Sequence, residues 1–225
     1  MSAQDSTRSD PARGVLERLH GAARGDLLRF PALAARVALG KLSGKSTWDV
    51  MTPAQMKDFY IPVNRDQGRF LYLTARALGA KTVVEFGTSF GISTVYLACA
   101  VKDNGGGRVI GTEIEPTKRE RALSNLRDAG VAELVEVRLG DALQTLADAP
   151  SGIDLLLLDG WKDGYLPVLN LLTSKLRSGA VVLADNINTF KELRSYVAHV
   201  QSGTNGFVSE TLPLGDGFEY SVYTG

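Results

Sequence analysis

Two apolar runs, Ile153 to Leu158 and Ala180 to Ala184, each end on an aspartate, Asp159 and Asp185. Runs of that length and composition read as buried strands of a parallel sheet, and such a sheet must be covered by helices on both faces. A buried sheet gains nothing from a carboxylate at its carboxyl edge unless a ligand sits there, and strand ends of open α/β sheets are where ligands bind. Asn186 adds an amide oxygen and Lys162 an ammonium. Oxygen donors of this type suit a hard cation such as Mg²⁺, with Ca²⁺ and Mn²⁺ next in line, and not zinc.

The rest of the chain keeps the alternation. Strands are expected at Lys81–Phe86, Arg108–Glu113, Leu134–Leu139, Ile153–Leu158 and Ala180–Ala184. Helices are expected at Ser93–Val101, Thr117–Ala129, Leu143–Ala147, Tyr165–Arg177 and Phe190–Gln201. That order implies right-handed crossovers and a doubly covered parallel sheet. Segments 206–214 and 218–223 flank Gly215-Asp216-Gly217, a turn signal for a closing antiparallel hairpin. Residues 1–10 are polar and expected to be a disordered tail. Residues 11–60 form a helical appendage, read as two amphipathic helices broken near Gly25 and Pro31. Residues 61–225 form the α/β domain.

With 25 basic and 25 acidic residues, the chain lacks the charge for nucleic-acid or anionic-membrane binding. Cys99 excludes an internal disulfide, and two histidines exclude a histidine-rich metal site. No apolar run reaches the ~20 residues of a membrane span. A cytoplasmic protein acting on a small molecule is expected, with a homodimer through the N-terminal helices as the one protein partnership.

Gly87 and Gly91 follow the first expected strand with four-residue spacing, unlike the Gly-x-Gly-x-x-Gly of pyrophosphate-binding loops. Glu85 on that strand is placed to receive a cationic amine. Glu113, 22 residues past Gly91, is near the spacing of a ribose-binding acid, with Glu115 as a rival. Asp141 ends the third strand, where it either reaches an adenine amino group or caps the following helix. Amine, ribose and adenine together describe S-adenosylmethionine.

The segment Leu158-Asp159-Gly160-Trp161-Lys162-Asp163-Gly164-Tyr165, with Leu183-Ala184-Asp185-Asn186 and the terminal Asp216-Gly217-Phe218-Glu219, resembles the S-adenosylmethionine-dependent O-methyltransferases, and among them the catechol-methylating branch. The resemblance covers residues 61–225. It implies the class I, Rossmann-like methyltransferase fold: a seven-stranded, mostly parallel sheet with a C-terminal antiparallel hairpin. It implies Asp159, Asp185 and Asn186 as ligands of Mg²⁺, and Lys162 and Glu210 as catalytic residues. It implies Val63, Glu85, Gly87, Ser93, Glu113, Asp141, Ala142, Asp159 and Trp161 around the cofactor. Phe59, Trp161, Lys162, Asn186, Phe190, Glu210 and Leu212 would line the site of a catechol-type vicinal diol. Gly160 departs from the catechol branch, which has a histidine there.

An ordinary lysine, near ~10.4, is a poor base at neutral pH, so Lys162 is expected to rely on the nearby positive charge of metal and sulfonium. The same machinery on a non-catechol natural-product intermediate is the alternative. An NAD-linked oxidoreductase and a non-catalytic cofactor-binding scaffold are the readings from other classes.

Overall fold

The computed structural model describes residues 5–26, 30–44, 50–60 and 63–225. Residues 1–4 of the expected tail and residue 61, the expected domain start, lie outside them. The N-terminal helices are α1 (Asp10–Asp26), α2 (Phe30–Leu42), α3 (Pro53–Met56) and α4 (Arg65–Ala77). Then follow β1 (Thr82–Phe86), α5 (Ile92–Asp103), β2 (Arg108–Glu113), α6 (Pro116–Asp128), β3 (Val135–Leu139) and α7 (Ala142–Thr145). The chain closes with β4 (Ile153–Leu158), α8 (Tyr165–Leu172), β5 (Leu176–Asp185), α9 (Arg194–Gln201), β6 (Phe207–Leu212) and β7 (Phe218–Tyr223).

The seven strands form one sheet in the order β3-β2-β1-β4-β5-β7-β6. Strands β1 to β5 run parallel, and β7 pairs antiparallel with both β5 and β6. Strand order reverses between β1 and β4, so the crevice of the fold opens beyond Phe86 and Leu158. One face is covered by α1, α4, α5 and α6 through Leu16, Leu71, Leu97 and Leu126; the other by α7, α8 and α9 through Leu146, Leu169 and Val200. Helix α5 is buried along Ile92 to Val101, as a helix trapped between sheet and appendage must be, and Cys99 lies within it.

Residues 5–7, expected to be part of a disordered tail, are instead packed, and residues 8–10 are ordered but exposed. Ser6 donates to the Asp103 carboxylate from its backbone N (2.7 Å) and its hydroxyl (2.5 Å), and Arg69 pairs with Asp5 at 3.0 Å. The polar composition that suggested disorder supplies the donors that a buried carboxylate at the end of α5 requires. Helix α4 was not anticipated from the sequence.

Candidate active site

A cavity of about 450 Å³ opens at the strand-order reversal. One wall holds Gly87, Glu113, Asp141 and Ala142, and the other holds Asp159, Trp161, Lys162, Asn186 and Phe190. A smaller recess beside it is lined by Tyr60, Val63, Gly87, Ser93 and Asp159. Asp159 therefore borders both spaces.

The loops that build the cavity approach each other closely. Gly87 has φ +100°, and a Cβ there would fall 2.6 Å from both the Asp159 carbonyl oxygen and the Gly160 Cα. A side chain at Gly160 would in turn meet the Phe86 ring at 2.6 Å. The Phe86 ring thus fills the space a histidine at position 160 would need. Ser89 (φ 49°) and Asn186 (φ 63°) are the two non-glycine residues with positive φ among the described residues, and both border the cavity. Strained backbone concentrates at functional sites because only there is its cost offset by use.

Glu113 is largely buried and preorganised: its oxygens accept from the backbone N–H of Ser89 (2.7 Å) and Glu115 (2.9 Å). The rival Glu115 instead caps α6, accepting from the Lys118 N–H at 2.7 Å. Asp141 caps α7 through Oδ1 (2.9 Å from the Leu143 N), the second of its two expected roles, and it also borders the cavity.

Glu85 departs from expectation. It is fully buried and accepts hydrogen bonds from the hydroxyls of Ser93 (2.5 Å), Thr94 (2.6 Å) and Thr88 (3.0 Å). Burial pushes its carboxyl above the usual range, against the pull of those three hydroxyls. It borders neither space and braces β1 to the start of α5. Glu210 is also misplaced. It pairs with Tyr220, two residues along β6 from the Leu212–Phe218–Asp185 level that meets the crevice, and it is exposed on the edge strand. Leu212 packs against the core beside α4 and α5, and Phe59 packs behind Trp161 with Leu33 and Met56; neither lines the cavity.

On the opposite wall, Lys162 is 8% exposed and donates to the Tyr165 hydroxyl at 2.6 Å. Its Nζ is 3.6 Å from Asp159 Oδ1 and sits over the Phe190 ring at 5.7 Å. The Tyr165 hydroxyl donates onward to the Asp185 carbonyl at 3.2 Å. Burial raises both the Asp159 and Asp185 carboxyls above their usual range, and the Asp159 charge adds to the effect on Asp185. The Asp159 and Asp185 carboxyls repel each other and have one ammonium nearby, 3.6 Å from Asp159; with the Asn186 amide on the cavity wall and Asp185 set just behind the lining, they make a donor set short of positive charge. A hard cation fits that deficit. The set is carboxylate, carboxylate and amide; no cluster of three His, Cys, Asp or Glu side chains occurs among the described residues.

Several cavity residues were not foreseen. Met51, Pro53 and Met56 bring the N-terminal appendage into the wall. Lys118 is buried there too, its Nζ 3.3 Å from the Ser89 hydroxyl and over the Phe90 ring, and burial lowers its pKa. In sequence it resembles any solvated charge on the first turn of a helix.

Residues 84–187 match the methyltransferase domain family. The chain is 40% identical over 128 residues to a catechol O-methyltransferase of Mycobacterium tuberculosis, a stretch covering 56% of this chain and 57% of that protein. The match thus spans little over half of that relative. Among solved structures, cofactor-bound Rv0187 from MTB is 29% identical with a TM-score of 0.66, covering 86% of this chain and 89% of that one. The O-methyltransferase TomG from Streptomyces achromogenes, in complex with SAM, shares the fold at 24% identity and a TM-score of 0.66, covering 86% and 90%. No described helix is long and apolar enough to cross a membrane.

Proposed function

We propose that this chain, which carries a methyltransferase domain on the class I O-methyltransferase fold, moves the methyl group of S-adenosylmethionine to one hydroxyl of a catechol-type vicinal diol with the help of a divalent cation. The observation that carries the reading is the single cavity in which Glu113, Asp141 and Gly87 face Asp159, Lys162, Asn186 and Trp161.

Glu113, its carboxylate already aligned by two backbone N–H groups, holds the ribose hydroxyls. Asp141 and Ala142 border the adenine. The Asp159 carbonyl, which the bare Gly87 allows close to the cofactor loop, takes over the amine contact expected of Glu85. The Asp159 and Asp185 carboxylates with the Asn186 amide oxygen hold Mg²⁺ or a similar cation. When bound, the sulfonium supplies an electrophilic methyl group and the cation supplies positive charge beside the acceptor oxygens. Lys162, held at 2.6 Å by Tyr165, takes the proton from the acceptor hydroxyl. Trp161, Phe190, Met51, Pro53 and Met56 wall the acceptor off from water and fix its plane. Holding oxygen, methyl and sulfur in line contributes about 7–11 kcal/mol through proximity and orientation.

Lys162→Ala tests the assignment. Methyl transfer to a catechol should fall by at least a hundredfold, while calorimetric affinity for S-adenosylmethionine stays within a few-fold of the parent. Full turnover in that variant would remove the mechanism. A panel of vicinal diols separates the catechol reading from a natural-product acceptor, and a catalyst that ignores all of them would refute the diol assignment.

A further inference from the structure

Gln67 has no part in the chemistry described above, yet it is 3% exposed and lies against that chemistry's deepest carboxylate. It is the third residue of α4, and its amide is fixed at both ends. Its Oε1 accepts from the Asn64 backbone N–H at 2.8 Å, as the N-terminal cap of α4 requires. The amide nitrogen must then face the other way, and Nε2 donates to Asp185 Oδ1 at 2.7 Å. A flipped amide would set two donors together at Asn64 and two acceptors together at Asp185, so the orientation is forced. The hairpin turn seals the contact: a Cβ on Gly215, at φ +59°, would fall 2.4 Å from Nε2.

The same Oδ1 also accepts from the Asn186 N–H at 2.8 Å. Both of these donors to the carboxylate thus converge on one oxygen, while the Tyr165 hydroxyl holds the backbone carbonyl of the same residue at 3.2 Å. Among the described residues no donor holds Oδ2, which leaves that oxygen open to an added ligand.

We propose that Gln67 is a positioning residue: by committing Oδ1 to the protein it makes Asp185 a one-oxygen ligand, and so biases the site toward a small octahedral cation. The inference rests on the cation site proposed above. Mg²⁺ and Mn²⁺ accept single carboxylate oxygens in a tight shell, whereas Ca²⁺ takes more ligands and readily uses both oxygens of a carboxylate. Outer partners that orient a ligand commonly contribute 10- to 100-fold in metal affinity. The forced amide orientation links a helix cap, a strand end and a hairpin turn that are up to about 150 residues apart in sequence, so the ligand's geometry is fixed by the fold and not by a local turn.

The test measures Mn²⁺ binding to the whole chain by electron paramagnetic resonance, with S-adenosylhomocysteine present and Ca²⁺ as competitor. Gln67→Met, similar in size but without a donor, should weaken Mn²⁺ binding 10- to 100-fold and weaken Ca²⁺ binding less. Asn64→Ala removes the cap to the Gln67 N–H but keeps the backbone donor that orients the amide. It should lower the thermal midpoint and leave Mn²⁺ affinity within about twofold, which separates positioning from helix stability. Gly215→Ala, which drives a methyl group into Nε2, should reproduce the loss of affinity if Gln67→Met does not fold. Parental Mn²⁺ affinity in Gln67→Met, or an equal loss in Asn64→Ala, overturns the role of Gln67 and leaves the metal site standing. A parent protein that binds no Mn²⁺ overturns the cation site itself, and Gln67's role with it.

Discussion

Replacing Gly87 by alanine tests how the two cavity walls are held in register. At φ +100° an L-residue is strained by about 1–3 kcal/mol. The added methyl also falls 2.6 Å from the Asp159 carbonyl and the Gly160 Cα, where ordinary contact begins near 3.4 Å. The loop after β4 must therefore retreat by close to 1 Å, carrying Asp159 and Lys162 with it. A misplacement of about 1 Å can reduce turnover by ~100-fold. For a domain of this size, a loss of 1–3 kcal/mol lowers the melting temperature by roughly 2–12 °C. Gly91 is the matched control: it has φ +85° but its nearest contact is an ordinary 3.5 Å to the Ala122 Cβ. Gly91→Ala should lose stability and keep the parental turnover, measured as labelled methyl transferred to a catechol at saturating donor. If Gly87→Ala turns over like the parent, or if Gly91→Ala loses as much activity, the close approach of the two loops does not set the geometry of the site.

Tyr165→Phe removes the hydroxyl between Lys162 and the Asp185 carbonyl; kcat should fall about tenfold with KM for S-adenosylmethionine unchanged, and stability should drop by about 1–2 kcal/mol in urea titration. An unchanged kcat would show that Lys162 needs no such anchor. His20 is buried 3.4 Å from the Tyr96 hydroxyl, and burial first, then Arg65 and Arg24, depress its pKa to about 4. The unfolded chain takes up this proton below ~6.5 and the folded chain only below about 4, so folding stability should fall as pH drops through that window. His20→Gln should flatten that part of the curve by roughly 2 kcal/mol, and a parallel curve would contradict the assignment. Glu85→Ala strands three buried hydroxyls and should cost several kcal/mol of stability at about 1 kcal/mol or more each; a fully stable variant that has only lost cofactor affinity would restore Glu85 to the amine site.

The positions of the sheet strands were legible because buried parallel strands leave continuous apolar runs, and the acids of the site followed from their ends. Strand β5 starts four residues before its expected beginning because Leu176 pairs with Ile153, which also shortens the helix expected to run to Arg177. Helix α4 escaped notice although both its cap, Asn64 with Gln67, and its amphipathic pattern are present in the sequence; its buried face includes Gln67, Gly68 and Thr74, which polarity alone assigns to the surface. The hydroxyl cradle of Glu85 was not legible, because a strand acid facing an amine and one facing three hydroxyls look alike until the loop is folded. Glu210 was misplaced by ungapped counting, where only the hairpin register decides which residue meets the crevice. Lys118, Gln67 and the appendage residues Met51 and Met56 were invisible for a common reason: their burial is created by elements distant in the chain.

Methyl transfer from labelled S-adenosylmethionine to a catechol, with and without a chelator, bears most directly on the cation held between Asp159, Asp185 and Asn186. A monomethylated product should form with the parent protein, vanish with excess chelator and return when Mg²⁺ is restored. Equal transfer in chelator, or none under any metal, would contradict it.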